Sequence, residues 1–155
     1  MPHSTVVANL VRHCFNLFYR KDVSGLLDLF DDEAEVYEPF SKDGVVRGKS
    51  QIEPFLRFVT RDRVGVDYYI NSILTIKKQA KELAVADVSF IKRGKTRYRF
   101  VFEFGGNSRT GMISEDAGGL AIKALRIELP DGVVSLARKR SRPAWTSNYR
   151  RHQTD

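Results

Sequence analysis

The chain has 155 residues, 42% hydrophobic and 29% charged, enough for one domain with a single core. No apolar run approaches the roughly 18 residues that span a bilayer. The opening Met1-Pro2-His3-Ser4-Thr5 lacks the basic start and apolar stretch of a signal peptide, so neither a membrane partner nor secretion is expected. The formal charge of +7 invites a nucleic-acid reading, but Arg138, Lys139, Arg140, Arg142, Arg150 and Arg151 carry most of the excess, and the rest is close to neutral.

In chain order, Val7, Leu10, Val11, Cys14, Leu17 and Phe18 fall on one face of a helix, with Asn9, Arg12 and Asn16 opposite. Tyr19-Arg20-Lys21 ends that helix. Asp22 can cap a second, short one carrying Leu26, Leu27 and Phe30, because its carboxylate accepts from free amides of the next turn. Residues 34–39 alternate as a strand, with Ala34, Val36 and Glu38 on one face, and Pro39 closes it. A polar loop at 41–44 leads to Ser50-Gln51-Ile52-Glu53, which has the form of a capping box. Pro54 is expected in the first turn of the following helix, and Ile52, Phe55, Leu56 and Val59 form its apolar side.

From Asp67 the period changes to two. Strands are expected near residues 68–77, 82–92, 95–104, 111–115 and 120–129, with turns marked by Arg93-Gly94, Gly105-Gly106-Asn107 and Asp116-Ala117-Gly118-Gly119. Helices first and antiparallel strands afterwards argue for an α+β domain over residues 1–140, its helices packed on one face of a curved sheet. Residues 141–155 read as a basic, irregular tail. Its Trp145 and Tyr149 among arginines are the one feature suited to nucleic acid, but a solvated charged tail is the commoner origin of such a run, so nucleic acid is not an expected partner.

The segment from Asp22 to Pro39 resembles the signature of ketosteroid isomerases and SnoaL-like proteins, within the nuclear transport factor 2-like superfamily. A short capped helix ending in Leu29-Phe30 leads through the acidic turn Asp31-Asp32-Glu33 to a strand, and the match continues through Gly44, Gly48, Ile52 and Phe55. The resemblance implies a cone-shaped α+β fold, a curved antiparallel sheet wrapped around N-terminal helices that enclose a pocket. Cys14, Phe18, Phe30, Val36, Phe55 and Val59 are the pocket-lining side chains it implies. It also implies two catalytic acids. Glu38, just before Pro39, takes the place of the base, and a gap-free reading from Val88 through Gly94 puts the oxyanion-side acid at Glu103. Separated pKa values in such a pair are known chemistry of that family. Cys14 and Leu56 stand where the isomerases have tyrosines, so steroid isomerisation itself is not implied.

Read from the residues alone, Glu38 shares a strand face with Ala34 and Val36. Burial there would raise its pKa toward that of a working base, whereas a strand-end position beside Pro39 would leave it in water. Glu103 is open in the same way. In its strand Tyr98, Phe100, Phe102 and Phe104 alternate with Arg97, Arg99, Val101 and Glu103. Phase therefore buries the aromatic row and leaves Glu103 an exposed ion-pair partner, whereas the alignment turns Glu103 inward and the aromatics toward a dimer; a β-bulge would reconcile the two. A lone Cys14 excludes intrachain disulfides, reads as a small core residue, and fits a reducing cytoplasm. His3, His13 and His152 show no ligand spacing, so neither metal nor cofactor is expected. Two functions follow: proton transfer on an apolar carbonyl compound by a carboxylate base, or a non-catalytic module that binds a small apolar molecule or forms a homodimer.

Overall fold

The computed structural model describes residues 2–39, 44–62, 67–79, 81–91, 94–106 and 119–129. Its elements are α1 (Pro2–Tyr19), α2 (Val23–Leu29), β1 (Phe30–Tyr37), β2 (Val45–Arg47), α3 (Lys49–Asp62), β3 (Asp67–Lys78), β4 (Lys81–Ile91), β5 (Lys95–Gly106) and β6 (Leu120–Glu128). The expected strand at 111–115 and the basic tail lie outside the described residues. The strands form one open sheet in the order β2-β1-β6-β5-β4-β3. Neighbours pair antiparallel except β1 and β6, which run parallel, so the sheet expected to be antiparallel is mixed. Hairpin turns fix direction between strands adjacent in the chain, but β1 and β6 are far apart in sequence and joined by no such turn.

The helices follow their apolar spacing. Val7, Leu10, Val11, Cys14 and Leu17 are buried, and so is Phe15. At the end of α1 the amide of Asp22 donates to the Leu17 carbonyl (2.9 Å) and that of Lys21 to Phe18 (3.1 Å). Lys21 takes a φ of 59° to allow this, a left-handed cap usually given to glycine. Asp22 then caps α2 as expected, accepting from the Gly25 amide at 2.9 Å. A Cβ on Gly25 would lie 2.7 Å from the Asp22 carboxylate, which explains the glycine. Phe30, expected on α2, is instead the first residue of β1.

The capping box expected for α3 does not form. The carbonyl of Gly48 (φ 76°) receives the first amides, those of Gln51 and Ile52, so Ser50 lies inside the helix. Glu53 instead pairs with Arg57 at 2.6 Å, one turn on. Because α3 starts at Lys49, Pro54 sits beyond the first turn, where it offers no amide to the residue four before it.

Two bulges set the sheet's phase. In β3, Asn71 is an extra residue between the pairs Ile70–Val88 and Ser72–Asp87, so Tyr68 and Ile70 turn toward the helices before it, Ile73 and Thr75 after it. In β6, Lys123 is extra between Ile122–Phe104 and Ala124–Glu103. On the inner face the small residues of β4 lie beside the aromatic row of β5, as Ala84–Phe102, Ala86–Phe100 and Val88–Tyr98. Large rings beside short side chains let the helices approach at core density.

Candidate functional site

Between the helices and the centre of the sheet lies a partly enclosed cavity of about 80 Å³. Its wall is Cys14, Phe15 and Phe18 of α1, Leu26 of α2, Phe30 of β1, Phe55, Leu56 and Val59 of α3, Phe90 of β4, Tyr98, Phe100 and Phe102 of β5, and Leu125 and Ile127 of β6. Among the described residues of this wall none is charged, and the Cys14 thiol and Tyr98 hydroxyl are the polar side-chain groups. Burial pushes the Cys14 thiol up to about 12, so it stays protonated and acts as a small apolar group. Phe15 of α1 meets the sheet rings edge to face, at 82° to Phe100 with centroids 4.9 Å apart and at 85° to Phe102 at 6.1 Å, whereas Phe100 and Phe102 stack at 25° and 6.5 Å. Phe90 is tilted 65° from Phe18 and 69° from Tyr98.

Of the expected pocket residues, Cys14, Phe18, Phe30, Phe55 and Val59 stand in this wall. Val36 does not. It is fully buried beside Leu125, on a strand covered by α3. Neither expected acid lines the cavity. Glu38 is only 4% exposed and follows the inward phase of Ala34 and Val36, but it lies past the end of β1, where its amide donates to the Gly44 carbonyl at 2.9 Å. Glu103 faces away from the helices and pairs with Lys81 at 3.2 Å. The bulge that could have turned it inward is present at that point, but the extra residue is Lys123 in β6, so the phase of β5 is unchanged. The aromatic row accordingly points to the helices, and the outward alternative for it is corrected.

The bulge instead sends Lys123 toward β1. Its Nζ lies 3.2 Å from the Asp31 carboxylate, whose side chain is 4% exposed and also accepts from the Glu33 amide. Sequence reasoning also passed over Phe15, Leu26, Leu56, Phe90, Tyr98, Phe100, Phe102, Leu125 and Ile127 as wall residues. Phe15 sits four residues after Val11, and Leu26 and Leu56 stand on the apolar faces expected for their helices, so these three were findable by helical spacing; the six strand residues come together only through the sheet register.

The outer face of the sheet is different. In register across it, Leu74, Val85 and Val101 form one row and Ile76 and Leu83 the next. Leu74 is 59% exposed and Ile76 43%. Beside them run ion pairs, Arg97 with Asp87 (Nε–Oδ1 2.7 Å) and Arg99 with Glu128 (3.9 Å). The Arg97 guanidinium, and to a lesser degree Asn71 and Arg99, hold the Asp87 carboxyl below the usual range. Toward β2, the Tyr37 hydroxyl donates to Glu35 at 2.6 Å, Arg47 reaches the same carboxylate at 2.7 Å, and Arg126 stacks over the Tyr37 ring at 4.4 Å.

No family model matches this chain, and no curated protein matches it in sequence. Solved structures match in shape. An NTF2-like protein of unknown function from Pseudomonas putida superposes with a TM-score of 0.66 at 10% identity, over 80% of this chain and 84% of its own. SalBIII, an epoxide hydrolase/cyclase-like enzyme of pyran ring formation in salinomycin, gives 0.57 at 15% identity over 84% and 95%. The CaMKII hub of S. rosetta gives 0.62 at 12% identity over 81% and 95%. The likeness establishes the cone-shaped α+β architecture of nuclear transport factor 2-like proteins, which serves enzymes and hub domains alike. No helix among the described residues is long and apolar enough to cross a membrane.

Proposed function

We propose that this protein is a receptor for a small apolar molecule, held between the helices and the centre of the sheet. The observation that carries this reading is the wall itself, fourteen described residues without a charged side chain. Proton transfer by a carboxylate, the other function the sequence suggests, needs its base within hydrogen-bond reach of the substrate, and Glu38 and Glu103 both stand outside the wall. A guest would gain from the burial of its apolar surface, roughly 25 cal/mol per Å². The size of the hollow favours a small guest, since pockets for drug-sized ligands run to about 300–1,000 Å³. A cytoplasmic location belongs to the same reading, from the unpaired and buried Cys14.

Calorimetric titration with n-hexanol and toluene tests it. Binding is expected in the wild type and in Glu38→Gln, and is lost in Leu56→Phe, which adds a ring to the wall. Binding that survives Leu56→Phe places the guest elsewhere. Loss of binding in Glu38→Gln, with the fold intact, revives the carboxylate mechanism.

A second reading, self-association through the outer sheet face, is favoured by the exposure of Leu74 and Ile76 beside Leu83, Val85 and Val101. That face mixes an apolar stripe with paired charges of both signs, which allows a second copy to dock without like-charge repulsion. The hub architecture of one fold neighbour supports it. Sedimentation at micromolar concentration should show a dimer that Leu74→Lys dissociates, and a wild-type monomer rules it out.

A further inference from the structure

We infer that the guest is a neutral molecule with a single aromatic ring, a deepening that rests on the receptor reading above. Size sets the first bound. An engineered apolar hollow of about 150 Å³ takes one benzene. This hollow is smaller, about 80 Å³, and only partly enclosed, so one ring takes up all of its enclosed space and a second fused ring would stand outside the apolar wall.

Ring geometry sets the second bound. Aromatic pairs favour edge-to-face contacts at centroid separations of about 4.5–7 Å. Across the wall Phe15 stands that way, edge-on to Phe100 at 4.9 Å, and Phe90 is tilted 69° from Tyr98 at 5.7 Å, while Phe100 and Phe102 stack along the sheet. A guest ring among them meets ring edges on its faces and offers its own edge to ring faces. A saturated ring of similar volume buries the same area without that term.

Charge sets the third bound. A carboxylate or ammonium would lose its water inside a wall whose described residues hold no counter-charge, a cost of several kcal/mol as an order of magnitude.

The test measures dissociation constants of the full chain for toluene, methylcyclohexane, naphthalene and benzoate by calorimetry at neutral pH. Toluene should bind tightest, about two- to tenfold tighter than methylcyclohexane on the aromatic contact alone. Naphthalene and benzoate should each be at least about tenfold weaker. Methylcyclohexane equal to or tighter than toluene overturns the aromatic bound and leaves an apolar receptor standing. Naphthalene tighter than toluene overturns the size bound, and benzoate equal to toluene overturns the charge bound. If none of the four binds while n-hexanol does, this inference falls and the receptor reading stands; if n-hexanol fails as well, both fall.

Two variants locate the preference. Phe15→Leu and, at a half-buried position that tolerates change better, Phe100→Leu remove an edge-to-face partner while keeping the wall apolar. In either folded variant, toluene should lose most of its advantage over methylcyclohexane, and an advantage kept in full refutes the inference.

Discussion

Replacing Lys123 with Met probes how the β6 bulge is held. The ammonium of Lys123 and the carboxylate of Asp31 lie 3.2 Å apart, with side-chain exposures of 30% and 4%. They span the place where the parallel β1–β6 pairing is irregular, between Phe30–Ile122 and Glu35–Ala124. The lysine stem runs over Gly105, where an added Cβ would come 3.1 Å from Cε. Met keeps a stem of similar length and removes the charge. Breaking a fully buried pair from one side costs about 3–5 kcal/mol, and losing a hydrogen bond to a charged group about 1.5–3. Lys123 is nearly a third exposed and the Glu33 amide still serves Asp31, so the lower range applies, about 2 kcal/mol. For a domain of this size that is a fall in Tm of roughly 4–8 °C. Urea denaturation followed by far-UV circular dichroism measures it, with Asp31→Asn and the double variant closing the cycle. The double variant should recover about 1 kcal/mol or more of the summed losses. A loss under about 0.5 kcal/mol for Lys123→Met would mean that the ammonium adds nothing, and the bulge would need another explanation.

Lys21→Gly should raise stability by about 0.5–1 kcal/mol, because the left-handed φ of 59° strains a residue with a Cβ; an unchanged urea midpoint contradicts the cap described for α1. Arg97→Gln should lower stability near neutral pH and progressively less on acidification. Asp87 has a depressed folded pKa, so its ionic stabilisation is complete above its unfolded value near 4 and vanishes as pH falls through the folded one. Denaturation midpoints across that window check the sign, and a gap that widens toward acid refutes it. Cys14, with its thiol pushed up to about 12 and its side chain buried, should react with iodoacetamide at pH 8 only as fast as the protein opens, and labelling at the rate of a free thiol contradicts that burial.

Much of the architecture was legible. The spacing of Val7, Leu10, Val11, Cys14 and Leu17 gave the buried face of α1, and Asp22 gave the start of α2, because both signals are local. Strand phase alone put Tyr98, Phe100, Phe102 and Phe104 toward the helices. The gap-free alignment pulled Glu103 inward because a bulge carries no marked residue type and its strand cannot be read from sequence. β2 is three residues long, too short for alternation to register. The start of α3 was misplaced because Gly48 caps it through its carbonyl, leaving the Ser50–Glu53 pattern unused. The wall was legible only in part, since which residues of β4, β5 and β6 converge depends on register across strands far apart in the chain.

The parallel seam between β1 and β6 also dictates an order of events. It joins positions separated by 92 residues, as in the Asp31–Lys123 contact, with no hairpin to bring them together. Until β6 exists, β1 has only the three-residue β2 beside it, and the backbone amides and carbonyls of its other edge wait unpaired while the rest of the polypeptide is being made. Closure across so long a loop is entropically late and slow, and in that interval the nascent chain is most open to aggregation or chaperone capture.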